Sequence, residues 1–294
     1  MKVTTQKSPS YAQPPFKKQD QIVPGISAKM DPVPDHGEKT YIGNNLLAGQ
    51  VCLITGGDSG IGKATAIAMA REGADIAIIY LDEIENEDAA DTADWIEKAG
   101  QKALLIRGDI RNESFCQSAI QQTVETFGRL DILINNAAYQ MTYNSVTDIS
   151  AAEWNKTFET NVSAMFYLTK YAKPHLPKGG NIINTTSVNA YDPNPKLLPY
   201  AATKAAIQNY TASLAQQFFE DGSDIRVNAV APGPVWTPLI PSTIPDHEKF
   251  GANTPIGRPG QPAEIAPIYV FLASSAASYI SGATIPATGG RVTI

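Results

Sequence analysis

Two side chains with acid–base chemistry lie one helical turn apart in the second half of the chain. Tyr200 and Lys204 are four residues apart in a segment with helical periodicity, so they share one helix face. A free tyrosine titrates near ~10, too high for efficient proton exchange at neutral pH. The Lys204 ammonium is expected to lower the pKa of Tyr200 by favouring tyrosinate. Tyr200 could then take a proton from an alcohol or return one to a carbonyl, although such a pair alone is more often a surface feature.

A glycine-rich turn supplies the second chemical signal. The sequence Thr55-Gly-Gly-Asp-Ser-Gly-Ile-Gly62 follows an apolar strand and precedes a helical pattern. Glycines at such a junction let the backbone approach a pyrophosphate, which then sits at the helix N-terminus. A merely tight turn is the alternative. The predicted dinucleotide contacts here are Gly56, Asp58, Ser59, Gly60, Ile61 and Gly62.

A phosphate-binding P-loop is a rival interpretation of the same glycines. Gly57-x-x-x-x-Gly62-Lys63 fits most of that motif, which next requires a Ser or Thr hydroxyl for Mg²⁺. Residue 64 is alanine and has no ligand atom. The sequence therefore argues against a P-loop nucleotide hydrolase.

The elements that must position these residues alternate between short apolar strands and longer amphipathic helices. The strands beginning at Val51 and Asp131 are continuously apolar, as strands covered on both faces require. This alternation predicts an α/β fold with one Rossmann-type, doubly wound parallel sheet of about seven strands. Ligands bind beyond the carboxyl ends of such strands. Predicted strands are Val51–Thr55, Asp75–Tyr80, Ala103–Ile106, Asp131–Asn135, Asn181–Thr185, Ile225–Val230 and Thr284–Ala287; predicted helices span 60–72, 85–99, 112–127, 150–173, 199–220 and 262–274.

Taken together, the motifs resemble the short-chain dehydrogenase/reductase family. They are Thr-Gly-x-x-x-Gly-x-Gly at 55–62, Asn135-Asn-Ala-Ala138 after the fourth strand, and Tyr200-x-x-x-Lys204 preceded by Ser187 at the family's spacing. The resemblance covers residues 48–294. The front of the chain is similar to a bacterial stress-associated and glucose-dehydrogenase-like subgroup with an N-terminal extension. The resemblance implies an NAD(P)-dependent oxidoreductase acting on the CH–OH or C=O group of a small alcohol, sugar, aldehyde or ketone.

The resemblance also implies roles for individual residues. Asn161, Ser187, Tyr200 and Lys204 match the family's catalytic set: Ser187 would hydrogen-bond the reacting oxygen, and Asn161 would hold a water linking Lys204 to solvent. The positive charge of an oxidised nicotinamide would aid Lys204 in lowering the pKa of Tyr200. Ala138 stands where the family usually has glycine, which is tolerable if its φ stays negative. Expected cofactor contacts from the matching segments are Asn136, Ala137, Ala138, Tyr200, Lys204, Pro232, Gly233, Val235 and Thr237.

The end of the second strand bears on the choice of cofactor. An acidic residue about 20 positions after the turn binds the ribose 2′-hydroxyl of NAD, and a basic one accepts the NADP phosphate. Tyr80 and Leu81 occupy the usual positions, with Asp82 following. No Arg or Lys lies in 56–62 or 80–83, which favours NAD, with NADP as the alternative. Asp109 and Ile110 match the family's adenine contact.

Substrate and partner predictions rest mainly on the resemblance. Leu239–Pro259 corresponds to the substrate lid. The residues expected to shape the pocket are Ser187, Asn189, Tyr191, Tyr200 and Trp236. Core packing is the alternative for Tyr191 and Trp236.

The helices at 150–173 and 199–220 commonly form an interface in the family, so we expect a homotetramer. A non-catalytic NAD(P)-sensing protein on the same fold is the alternative function, against which the four-residue catalytic set argues.

Composition excludes several classes of function. The 294 residues carry a formal net charge of −6, which gives no support for nucleic-acid or membrane partners. Three scattered histidines and two cysteines provide no metal site or disulfide framework, so a reducing, cytoplasmic setting is expected.

Residues 1–47 are proline-rich and apolar-poor, and we interpret them as an arm appended to a catalytic domain over 48–294. Deleting 1–40 is expected to weaken assembly or stability while sparing cofactor binding.

Overall fold

One parallel sheet organises the molecule in the computed structural model, which describes residues 10–291. Residues 1–9 of the predicted arm and 292–294 of the predicted domain lie outside the described residues. The sheet has seven strands in the order β3-β2-β1-β4-β5-β6-β7, all paired in parallel. The strands are β1 (Val51–Thr55), β2 (Asp75–Tyr80), β3 (Ala103–Arg107), β4 (Ile132–Asn135), β5 (Asn181–Thr185), β6 (Arg226–Pro232) and β7 (Thr284–Ala287).

Helices cover both faces of the sheet, which is why its central strands are apolar on both sides. Every residue of β1, β4 and β5 is buried. The predicted doubly wound fold is confirmed. The helices are α1 (Gly60–Arg71), α2 (Asn86–Lys98), α3 (Glu113–Phe127), α4 (Ala151–Phe158), α5 (Ala164–Ala172), α6 (Leu198–Glu220), α7 (Leu239–Thr243) and α8 (Pro262–Ala273).

Two features of the helices differ from the prediction. The single helix expected over 150–173 is divided into α4 and α5 by a π-helical segment, Glu159–Ser163. The lid region also contains the short helix α7 and a 3₁₀ turn at His247–Lys249, although its sequence has no helical periodicity. Proline-rich segments of this kind conceal short helices from pattern analysis because tertiary packing, rather than propensity, stabilises them.

Two apolar clusters lie on opposite faces of the sheet. One joins Ile54, Ile76 and Ile134 to α1 and α8, and the other joins Leu53, Leu133 and Ile182 to α3, α5 and α6. Both hold the strands rigidly in register. The carboxyl ends of β1, β2, β4, β5 and β6 therefore meet along one edge, where the predicted chemical groups lie.

The segment before β1 runs over the surface of its own subunit. Its far end is fixed to α1: the Glu72 carboxylate accepts hydrogen bonds from the Tyr41 hydroxyl at 2.6 Å and from the amides of Asn44 and Leu46 at 2.7 and 3.0 Å. The part of this segment that comes first in the chain packs beside the lid. There the Phe16 ring stacks on Trp236, just before the lid, with 4.2 Å between the ring centroids. These contacts account for the packing expected of an appended arm.

No helix within residues 10–291 combines the length and apolar character needed to cross a membrane.

Candidate active site

The glycine-rich turn between β1 and α1 is braced against the end of β4. The Thr55 hydroxyl accepts hydrogen bonds from the backbone amides of Asn136 and Ala137, both at 2.9 Å. The Asn136 side-chain amide donates back to the carbonyls of Thr55 and Gly56 at 3.1 and 3.2 Å. These bonds fix the turn and leave the amino end of α1 facing the cleft.

Glycine is required at particular positions of this turn. Gly56 and Gly60 have φ values of +62° and +51°, in the left-handed region that other L-residues rarely adopt. A Cβ on Gly62 would collide with the carbonyl oxygen of Gly56. Gly62 therefore permits close packing of turn and helix, and it does not itself line the cleft.

A cleft of about 1110 Å³ opens at the carboxyl edge of the sheet. Pockets for drug-sized ligands are commonly ~300–1,000 Å³, so this cleft is large enough for an extended dinucleotide. The glycine-rich turn on its wall fits the pyrophosphate of such a ligand. The backbone of Ala138 lies outside the left-handed region, so its methyl group is compatible with this wall. Among the predicted site residues, those on its wall are Gly56, Asp58, Ser59, Gly60, Ile61, Tyr80, Leu81, Asp109, Ile110, Asn136, Ala137, Ala138, Ser187, Asn189, Tyr200, Lys204, Pro232, Gly233, Val235 and Thr237.

Ser187, Tyr200 and Lys204 meet at the centre of this cleft. The Lys204 ammonium is buried, donates to the Thr185 carbonyl at 2.8 Å, and lies 5.2 Å from the centroid of the Tyr200 ring. The Ser187 hydroxyl oxygen accepts from the Asn189 backbone and side-chain amides at 3.1 and 3.3 Å. Those two bonds direct the hydroxyl hydrogen of Ser187 elsewhere, toward Tyr200 or a reacting oxygen.

The acid–base properties of this centre differ from the sequence-based expectation. Burial raises the pKa of Tyr200 to about 12, opposed by the Ser187 hydroxyl, and burial lowers the pKa of Lys204 to about 7. Lys204 by itself therefore does not lower the pKa of Tyr200, and the expected lowering by Lys204 together with the positive charge of an oxidised nicotinamide stays a prediction. Desolvation disfavours the charged form of both residues, and it outweighs their mutual attraction.

Asn161 occupies the π-helical segment beside this centre. Its side-chain oxygen accepts from the Tyr139 amide at 2.7 Å, and its nitrogen donates to the Tyr139 carbonyl and the Thr203 hydroxyl at 2.9 and 3.0 Å. The side chain is buried and is not on the cleft wall. Through Thr203, Asn161 ties the Tyr139 loop to the helix that carries Tyr200 and Lys204, and its role in holding a water stays a prediction.

Three further predicted site residues lie away from the cleft wall. Asp82 caps the turn Glu83–Glu85 by accepting from the Ile84 amide at 3.1 Å. Trp236 is fully buried under Phe16 and donates from Nε1 to the Pro32 carbonyl at 2.8 Å, so it anchors the arm instead of contacting substrate. Tyr191 closes the 3₁₀ turn after Ser187, with its amide bonded to the Val188 carbonyl at 3.0 Å.

The sequence analysis missed two contributions to the cleft. Val23, Pro24 and Gly25 of the arm form part of its wall, and the expectation that deleting 1–40 spares cofactor binding stays a prediction. Glu85, an apparently ordinary surface acid at the start of α2, is buried and also lines the cleft. Neither residue set carries a sequence signal, because their positions depend on how the arm and the β2–α2 turn fold back.

Comparison with known proteins gives consistent findings. The family described as "Enoyl-(Acyl carrier protein) reductase" matches residues 56–291. "Uncharacterized oxidoreductase YhdF" of Bacillus subtilis is 53% identical over 270 residues, which are 91% of this chain and 92% of that protein. "Glucose and ribitol dehydrogenase" of Daucus carota is 44% identical, over 95% of this chain and 97% of that protein.

Among solved structures, a short chain dehydrogenase from Burkholderia cenocepacia J2315 in complex with NADP superimposes with a TM-score of 0.77. It is 32% identical, and the match covers 83% of this chain and 98% of that one. The unmatched part of this chain is similar in length to the arm.

Proposed function

Because the chain belongs to the short-chain dehydrogenase/reductase family and is thus a nicotinamide-dependent oxidoreductase, we propose that Tyr200 is its general acid/base. The reaction is hydride transfer between the cofactor and the CH–OH or C=O group of a small alcohol, sugar, aldehyde or ketone. The observation that carries the proposal is the meeting of Ser187, Tyr200 and Lys204 in the cleft that the glycine turn also lines.

The roles of the side chains follow from their contacts. Ser187, held by Asn189, donates its hydroxyl hydrogen to the reacting oxygen and so places that oxygen beside Tyr200. The Tyr200 phenol donates its proton to a carbonyl oxygen, or as tyrosinate accepts one from an alcohol. Lys204, fixed by the Thr185 carbonyl, stabilises tyrosinate whenever the ammonium form is present.

A bound nicotinamide supplies or accepts the hydride. The residues that would hold it are the Gly56–Ile61 turn for the pyrophosphate, Asn136–Ala138 beside it, and Pro232–Thr237 along the opposite wall. Because burial raises the pKa of Tyr200, ionisation of this phenol at neutral pH requires added positive charge in the cleft. The oxidised form of the cofactor carries such a charge.

The substrate end of the cleft offers polar groups among apolar side chains such as Leu239 and Phe250. Asn189, Asp192, Asn253 and Arg291 line it, and the Arg291 guanidinium donates to the Asn253 side-chain oxygen at 2.7 Å. Groups of this kind hydrogen-bond hydroxyls, and the carrot relative is named for glucose and ribitol. We therefore place sugars and polyols first among the candidate substrates.

Our proposal for the cofactor is NAD. The cations at the adenosine end already have acidic partners: Arg111 forms an ion pair with Asp109 at 2.5 Å, and Arg107 lies 3.8 Å from Glu83. The Burkholderia structure holds NADP, so NADP is the alternative, and binding constants for both decide between them.

A homotetramer in the cytoplasm completes the proposal. Aromatic side chains remain half-exposed on two faces, Phe166 and Phe219 on α5 and α6, and Phe271 on α8. Such exposure is typical of surfaces covered by another copy of the chain. Light scattering at micromolar concentration should give four times the chain mass, and a stable monomer would refute this part.

The free thiols Cys52 and Cys116 support a reducing compartment.

A substrate panel tests the proposed reaction. Purified protein is incubated with NAD or NADP and with sugars, polyols, simple alcohols, aldehydes and ketones, and the cofactor's absorbance is followed. Turnover of at least one sugar or polyol supports the proposal. Cofactor binding without turnover of any compound would favour a sensing protein instead.

A further inference from the structure

Three carboxylates are buried together beside the adenosine end of the cleft. Asp58 in the glycine turn, Glu85 before α2 and Asp88 on α2 are exposed by only 2%, 6% and 4%. Asp88 has a structural partner, because its Oδ2 accepts from the Ser27 amide of the arm at 2.7 Å. Asp58 and Glu85 both line the cleft and face whatever occupies it.

The Glu85 carboxylate occupies the backbone amides at the end of β2. Its Oε2 accepts from Leu81 at 3.1 Å and from Asp82 at 2.8 Å. Free backbone amides at the end of a strand are good donors to a phosphate. In this chain those donors are already bound to the Glu85 carboxyl group, so a phosphate at the same place would have to displace Glu85.

Asp58 presents a free acceptor at the same place. Its Oδ2 is buried, and no N–H or hydroxyl group within residues 10–291 donates to it. Burial, with repulsion from Asp88, raises the pKa of Asp58 to about 6, and burial, with repulsion from Asp58, raises the pKa of Glu85 to about 8. Near neutral pH the two carboxyls therefore share one proton and carry about one negative charge together.

We propose that the buried carboxyls of Asp58 and Glu85 on the cleft wall form a pair that selects NAD over NADP, accepting a hydrogen bond from the adenosine ribose 2′-hydroxyl and repelling a 2′-phosphate. This inference rests on the proposed dinucleotide function. A 2′-hydroxyl can donate to the free Asp58 oxygen, whereas a phosphate carries roughly −1.5 to −2 charges and has no hydrogen to share when fully ionised. The pair replaces the strand-end acid, since Tyr80 and Leu81 stand at that position and Asp82 caps a turn.

A double-mutant cycle tests the pair. Dissociation constants for NADH and NADPH are measured by fluorescence titration on the full chain, with wild type, Asp58→Asn, Glu85→Gln and the double variant. Each single variant still contains one ionisable carboxyl, so the ratio of the two constants should stay within about threefold of wild type. The double variant has neither carboxyl of the pair, while Asp88 is the same in all four proteins, and NADPH binding should tighten relative to NADH by about tenfold or more.

Two controls keep the test decisive. Glu87→Gln removes a neighbouring but exposed carboxylate on α2 and should leave the ratio unchanged. Thermal unfolding checks that the double variant folds, and Asp58→Ser/Glu85→Gln is a second neutral pair if it does not. An unchanged ratio in the folded double variant overturns the inference and leaves hydride transfer standing. Wild type that binds neither cofactor overturns the proposed function and the inference together.

Discussion

The contact between Phe16 and Trp236 should control how firmly the arm closes over the lid. Phe16 is 8% exposed and packs with Met30, Trp236 and Ile240 in a small cluster separate from the sheet's cores. Replacing a buried phenylalanine by alanine costs about 3–5 kcal/mol. Because this cluster joins only the arm to the lid, Phe16→Ala should weaken that clamp by about 3 kcal/mol while leaving the unfolding of the sheet nearly unchanged.

Hydrogen exchange measures this clamp directly. The amides of Phe16 and Gln21 donate to the lid carbonyls of Glu248 and Pro241 at 2.7 and 3.1 Å, and the Gln19 amide donates to His247 Nε2 at 3.0 Å. A loss of about 3 kcal/mol should accelerate exchange at these amides about 100-fold. Ile22→Ala is the matched control, because Ile22 lies in the same segment and is 77% exposed.

The outcome that refutes this reasoning is equally specific. Exchange at Gln19 and Gln21 within about threefold of wild type in Phe16→Ala would show that the stack contributes little to the clamp. Equal acceleration in Phe16→Ala and Ile22→Ala would show that general loosening of the arm, and not the aromatic contact, is responsible. With substrate in hand, an opened lid should also raise KM more than it lowers kcat.

Three further predictions concern the cleft. Gly62→Ala should abolish measurable cofactor binding and lower the melting temperature, because its methyl would collide with the Gly56 carbonyl oxygen. Gly260→Ala is the control and should retain cofactor binding, because its φ lies outside the left-handed region and its added methyl would meet no atom closer than 3.7 Å. Ser187→Ala should lower kcat/KM about 10²–10³-fold with cofactor affinity unchanged, since it removes one donor to the reacting oxygen. In the folded chain the pKa values of Asp58 and Glu85 are about 6 and about 8, above the ordinary values for these side chains. The folded chain therefore binds more protons than the unfolded chain between about pH 4 and 8. Its free energy of unfolding should fall as pH rises through this range. Denaturant unfolding of wild type and Glu85→Gln measures this fall, with the third carboxylate, Asp88, present in both proteins. The free energy of unfolding should fall less with pH in Glu85→Gln than in wild type. Equal falls would contradict the assignment.

Much of the fold was predictable because it follows from strong local patterns. The bounds of β1, β2, β5 and β7 agree with the sequence analysis, since these strands are short apolar runs between clear breaks. The division of the helix at Glu159–Ser163 was not predictable, because its cause is tertiary: Asn161 bonds to the Tyr139 backbone and to Thr203.

The candidate site also contains residues that sequence could predict and residues that it could not. The glycine turn and the Tyr200–Lys204 pair depend on spacing within one element, and spacing is visible in a sequence. Sequence could not decide between substrate contact and core packing for Trp236, because its burial beneath Phe16 involves residues over two hundred positions apart in the chain. Glu85 escaped notice for a similar reason, since only the folded β2–α2 turn brings it against Asp58.

The central claim is that Tyr200 moves the proton that accompanies hydride transfer. The decisive measurement is the turnover of Tyr200→Phe on the best substrate of the panel, with cofactor affinity measured alongside and Tyr210→Phe on the same helix as control. We expect kcat to fall about 10³-fold or more in Tyr200→Phe, with cofactor affinity within about threefold and the control near wild type. A Tyr200→Phe enzyme that keeps most of its turnover would contradict the claim.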